Sequence, residues 1–221
     1  MVALTKWLAP ILPKWYCLGV RAPIVALVLL LAAAASADRL IRIPTGKKLL
    51  SDSYRFEIMA EPSRDRTLGW LGAGLGPSFD LELTGESFNS NRIVSSFDFS
   101  YNYLVPITDF LPGLSFGVQD GLGVTERGRS LYLAVTFRLG NYGEHNQDVP
   151  TELTIGFWTR REGVAFGGVS LPMSEHLKLL AEHDASHLTA GFELSPVRGS
   201  SFRFLFRKNQ VLIGLRVSQR F

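Results

Sequence analysis

The chain has 221 residues, 46% of them hydrophobic, with 23 basic and 20 acidic side chains and one cysteine. Lys6, Lys14 and Arg21 account for the whole excess charge, because residues 1–37 hold no acidic side chain; the remainder is neutral and has no Lys/Arg cluster that could trace a phosphate backbone. Nucleic acid is thereby excluded as a partner, and Cys17 alone excludes a disulfide framework.

Residues 1–37 read as a cleavable signal peptide. A basic n-region precedes the apolar run Ala22 to Ala35, broken only by Pro23, and Ala35-Ser36-Ala37 is a small-x-small cleavage site with Ala35 and Ala37 as its small positions. The run is short of the roughly 20 residues that a spanning helix needs. A retained anchor is the alternative. Cys17 lies before the apolar run, whereas a lipobox cysteine ends it. Residues 38–50 show no strand period and read as a periplasmic lead-in. No later stretch is long and apolar enough for a transmembrane helix, so any span must be built from strands.

Residues 51–221 read as one domain of about twelve strands, most of 8–11 residues, close to the 9–11 of tilted transmembrane strands. Segment 79–86 sets Phe79, Leu81 and Leu83 against Asp80, Glu82, Thr84 and Glu86. Segment 93–103 sets Phe97, Phe99, Tyr101 and Tyr103 against Ser96, Asp98, Ser100 and Asn102. In 130–139, Leu131, Leu133, Val135, Phe137 and Leu139 oppose Ser130, Thr136 and Arg138. In 153–160, Leu153, Ile155 and Phe157 oppose Thr154, Gly156 and Arg160. Towards the end, Phe202, Phe204 and Phe206 oppose Arg203 and Arg207, and Val211, Ile213, Leu215 and Val217 oppose Gly214, Arg216, Ser218 and Arg220. Segments 66–75 and 163–171 are glycine-rich and fit either phase. Turn signals at Gly76-Pro77, Asn89-Ser90-Asn91, Arg161-Glu162-Gly163, Ser195-Pro196 and Lys208-Asn209 separate the runs.

Such alternation means that one face meets an apolar medium and the other a polar one. A β-sandwich gives the same pattern. Aromatic residues near strand ends (Tyr54, Tyr101, Tyr103, Phe137 and Phe221) and the short turns favour an up-and-down transmembrane antiparallel barrel. Ending on Phe221 suits a chain whose last strand is read by barrel-assembly machinery. Outer-membrane lipid is the other implied partner, and the bacterial outer membrane the implied location.

With polar faces inward, the lumen carries Glu57, Asp80, Glu82, Asp98, Arg138, Arg160, Arg203, Arg207 and Arg216 among other charges. Acidic residues gather in the first half and basic ones in the last two strands, so closing the sheet could pair Arg203, Arg207 and Arg216 with Glu57, Asp80 or Glu82. Both an interior salt-bridge network and a charged pore lining fit these residues. His176, His183 and His187 lie near Glu182, Asp184 and Ser186, the residue types of a hydrolase or metal site. Glu182 and His183 face opposite ways along one strand, however, and 184–186 reads as a turn. The residues imply no enzyme, no cofactor and no metal.

Several motifs from residue 104 onward are similar to those of the YjbH-like exopolysaccharide-associated outer-membrane barrels. They are Gly117-Val118-Gln119-Asp120, then Tyr132 with Ala134 and Thr136, Phe166-Gly167-Gly168-Val169, Leu180-Ala181-Glu182-His183-Asp184, and Ala190-Gly191. Gln119, His183 and Thr189 stand where that family usually has Arg, Tyr and Asn. The resemblance implies a barrel and a non-enzymatic role in exopolysaccharide production or export, with polysaccharide-export components as partners. A small porin-like channel for polar solutes is the alternative drawn from the lumen charges, and an outer-membrane hydrolase the third reading.

Overall fold

Alternation is expressed as strands wherever it is clean. The computed structural model describes residues 39–88, 92–106, 111–125, 128–140, 150–159 and 165–220. The signal segment with Ala35 and Ala37, the turns at 89–91 and 161–163, Arg160 and Phe221 lie outside the described residues. The strands are β1 (Ser53–Glu61), β2 (Arg66–Leu75), β3 (Phe79–Phe88), β4 (Arg92–Leu104), β5 (Gly113–Gln119) and β6 (Ser130–Leu139). They continue with β7 (Thr151–Trp158), β8 (Ala165–Pro172), β9 (Leu177–His183), β10 (Leu188–Val197), β11 (Ser200–Arg207) and β12 (Gln210–Arg220).

Each strand pairs antiparallel with its neighbour in sequence, and β1 pairs with β12, from Ser53 opposite Arg220 to Ala60 opposite Ile213. The sheet is therefore one closed up-and-down barrel, and the sandwich alternative falls because there are no two facing sheets. Closure also removes the unpaired strand edges that a lipid environment could not satisfy. β10 does not stop at the Ser195-Pro196 turn signal; it runs on to Val197 across a register shift, and the turn comes at Arg198-Gly199.

Adjacent positions show which medium each face meets. Phe157 is 56% exposed while Trp158 beside it is 1% exposed. Every strand contributes at least one exposed large apolar side chain to the outer face, among them Ile58, Leu83, Phe116, Leu133, Phe157 and Phe206. A continuous apolar belt of this extent is what soluble monomers avoid and what lipid solvates. Cross-strand aromatic contacts join it, with ring centroids 5.6 Å apart for Phe79–Phe99, 5.1 Å for Tyr101–Phe116 and 5.5 Å for Phe192–Phe204. Among the described residues no helix is long and apolar enough to cross a membrane.

Of residues 38–50, expected as a periplasmic lead-in, the described part 39–50 occupies a different place. Arg39 to Gly46 and Leu49 are buried inside the sheet. Leu40, Ile41 and Ile43 join Leu68, Trp70, Tyr132, Trp158, Phe166, Leu180, Leu205 and Leu212 in an apolar cluster in the interior. The physical reason is that these strands turn apolar side chains inward as well as outward, and water would solvate them poorly.

Candidate functional site

Closing the sheet creates a polar-walled lumen, and the segment 39–49 fills much of it. That segment enters at the end where β1 begins: Ser53 N–H donates to Leu50 O (3.2 Å), and Leu49 N–H donates to the Asp80 carboxylate (3.2 Å). Further in, Gly46 N–H donates to Thr136 Oγ1 (2.7 Å) and Ser115 Oγ donates to Thr45 O (2.6 Å). Glycines make this approach possible. A Cβ on Gly113 would stand 2.1 Å from Gly46 O, and one on Gly74 would stand 2.2 Å from Leu50 O. At its inner end the chain reverses, with Leu40 N–H donating to Ile43 O at 3.2 Å. There the N–H groups of Ile41, Arg42 and Ile43 all donate to the Glu182 carboxylate, at 2.9 to 3.2 Å. Three convergent N–H groups satisfy a buried carboxylate that would otherwise be costly to hold away from water. The side chains of the segment are basic: Lys47 Nζ lies 2.5 Å from Glu152, and Arg39 pairs with Glu82 while its guanidinium sits 4.6 Å above the Trp70 ring.

On the seam side the strands pair with one another. Arg203 Nη1 donates to Glu57 Oε1 (2.6 Å) and its Nε donates to Glu193 (2.7 Å), while Arg216 Nη2 donates to both Glu193 oxygens at 2.7 and 2.8 Å. Of the three arginines expected to cross the seam to Glu57, Asp80 or Glu82, Arg203 pairs with Glu57, and Arg216 stands opposite Glu57 in the β1–β12 register. Arg207 Nε donates to Thr189 Oγ1 (2.9 Å). Asp80 accepts from Asn102 Nδ2 (2.9 Å) as well as from Leu49, and Glu82 is held by Arg55 and Arg39. Arg138 Nη1 donates to Pro106 O (3.0 Å), with its Nε 3.5 Å from Glu152.

Asp98 and Asp120 build a turn at the end of β5. Asp120 has φ of 53°, its N–H donates to Asp98 Oδ1 (2.7 Å), and its carboxylate accepts from Ser96 Oγ (2.6 Å) and from Thr125 N–H and Oγ1 (2.8 and 2.6 Å). Burial works against ionisation here, but these hydrogen bonds, with one from Val124 N–H, outweigh it and hold the carboxyl below its usual value.

The histidine cluster does not assemble a reaction centre. His183 is exposed on the outer face while Glu182 points inward, and Asp184 Oδ1 accepts from Ser186 and His187 N–H (3.2 and 2.9 Å), capping the turn. Among the described residues no group of three or more His, Cys, Asp or Glu could hold a metal ion.

What space remains is small: a cavity of about 70 Å³ lined by Arg39, Arg66, Trp70, Glu86, Asp98 and Asp120 among others, and one of about 20 Å³ beside Asp80 and Glu82. Sequence reasoning missed the occupied lumen. Its signal was present in Leu68, Trp70, Trp158, Phe166, Leu180, Leu205 and Leu212, apolar residues at inward positions of otherwise polar faces.

The closed antiparallel barrel has counterparts among solved porin structures. A "KdgM porin in complex with disordered oligogalacturonate" superposes with a TM-score of 0.50 at 12% identity, covering 76% of this chain and 99% of that one. A second "KdgM porin" structure has the same TM-score and coverage at 9% identity. At these identities the likeness shows the shared fold. No family model matches the chain, and no curated protein does. The comparisons thus give the exopolysaccharide-associated family no specific support.

Proposed function

We propose that this chain is a small outer-membrane channel for polar solutes whose resting state is closed by its own residues 39–49. The observation that carries this is the separation of the lumen into a wall and an occupant: strands that could line a pore, filled by a segment belonging to none of them. The porin fold of the structural neighbours supports the same reading. Cleavage after Ala37 would leave 39–49 in a free end joined covalently to the sheet only where β1 begins at Ser53, so that it could withdraw without unpairing a strand. Insertion would use the assembly machinery acting on Phe221, with lipid around the apolar belt; Phe221→Ala should lower the assembled yield, and an unchanged yield would discard that role. An exopolysaccharide-export role rests on the sequence motifs alone and is the less supported reading.

The test is planar-bilayer recording of the folded full chain. Ile43→Asp puts a carboxylate beside the Glu182 carboxylate and should expel the segment by like-charge repulsion. The wild type is expected to be mostly closed and Ile43→Asp mostly open. Folded Ile43→Asp barrels that conduct no better than bare bilayer would remove the channel reading.

A further inference from the structure

We propose that Trp70 and Glu82 form a binding site for small solutes carrying a guanidinium or alkylammonium group, and that Arg39 occupies it in the closed barrel. The assignment rests on the channel reading above, because solute from the lumen reaches the site only once the Arg39 side chain has left it.

Arg39 contributes a group that is chemically separable from the rest of its segment. Its guanidinium carbon lies over the Trp70 ring, 4.6 Å from the centroid, and one of its nitrogens pairs with the Glu82 carboxylate. An aromatic face and an anion are the two elements that recognise such a planar cation, and both act more strongly when withdrawn from water. With Arg39 in place Trp70 is 6% exposed and Glu82 4% exposed, so the cation they hold is withdrawn from water.

The surrounding charge selects the same sign. Around Arg39 the wall contributes Asp80, Glu82, Glu86, Asp98 and Asp120 to the two small cavities. Arg55 pairs with Glu82 and Arg66 with Glu86, which leaves this wall with more negative than positive charge once Arg39 and Arg42 depart. The cavity of about 70 Å³ adjoins both Arg39 and Trp70, so the site already opens onto free volume. A polyanion, such as the oligogalacturonate in complex with one of the KdgM porins, would meet repulsion along β3 and β4. The shared fold therefore carries a different solute preference here.

Two measurements on the full chain test this. Arg39→Ala vacates the site, and millimolar ethylguanidinium should raise the unfolding temperature of that variant in detergent more than equal sodium chloride does, an increment that adding Trp70→Leu abolishes. No increment, or one that survives Trp70→Leu, overturns the assignment. In bilayers, L-arginine should block current through Ile43→Asp at about tenfold lower concentration than through Ile43→Asp/Trp70→Leu, with L-glutamate ineffective in both. Current with a block indifferent to Trp70 overturns the assignment alone. Absence of any current overturns the channel reading, and the assignment with it.

Discussion

The two sides of the lumen satisfy their charges by different means. Along the seam, Glu57, Arg203, Glu193 and Arg216 are paired in that order, each with a residue on an adjacent strand or one strand beyond. Across the barrel, Asp80, Glu82, Glu152 and Glu182 are met wholly or partly by residues 39–49. The seam network is inseparable from barrel closure, whereas the carboxylates of β3, β7 and β9 are met by a segment that belongs to no strand. The charged interior thus ties strands together in one region and holds residues 39–49 in the other, which is why neither of the two sequence readings, network or pore lining, describes the whole lumen.

The contrast is sharpest at Arg203. Its removal strands Glu57 in a buried setting and leaves Glu193 to Arg216 alone, and Arg203→Ala should cost about 3–5 kcal/mol of barrel stability. Urea unfolding in detergent, followed by heat-modifiable gel mobility, reads this; a loss below about 1 kcal/mol would break the claim that the seam is structural. Glu182→Gln should act on the segment alone. Weakening the three-N–H cradle by about 1–3 kcal/mol should speed hydrogen exchange at Ile41, Arg42 and Ile43 by roughly tenfold or more, with the urea midpoint of the barrel unmoved. Equal slowing or speeding throughout the sheet would show that the two regions are one unit.

A smaller effect is expected at the rim, where Lys47→Ala removes an ion pair that borders solvent and should change stability by about 0–1 kcal/mol while raising open probability. The smallest concerns Asp120, whose carboxyl is held below the ordinary value of 3.8. A group with a depressed folded-state value contributes stability that is full above its unfolded value and is lost as pH falls through the folded one. The Thr125 amide resonance should therefore titrate with a midpoint below 3.8, and Asp120→Asn should abolish the transition. A midpoint at or above the ordinary value would contradict the hydrogen bonding of the turn.

Legibility follows periodicity. Segments 79–86, 93–103 and 130–139 declare both strand and facing, because each alternates without interruption, and the observed strands extend them by few residues or none. β2 and β8 are ambiguous in sequence because glycine has no side chain to reveal a face. Their facing is set by Trp70 and Phe166 packing inward and by glycines at close approaches, such as Gly168, where a Cβ would stand 2.4 Å from Leu40. The segment 39–49 has no period to detect, since its backbone is satisfied by side chains from distant strands rather than by a regular ladder. The charged candidates are recognisable as inward-facing, but partner choice is not: Arg207 and Thr189 are adjacent across β10 and β11, a fact of register that composition does not hold.

The cradle at Glu182 also bears on the order in which the molecule is made. Its contacts with Ile41, Arg42 and Ile43 span 139 to 141 residues of chain, the kind of long-range closure that forms late in folding because its loop entropy is lost before the contact repays it. A newly threaded molecule must therefore pass through a stage with its sheet partly or fully zipped and its interior still wet.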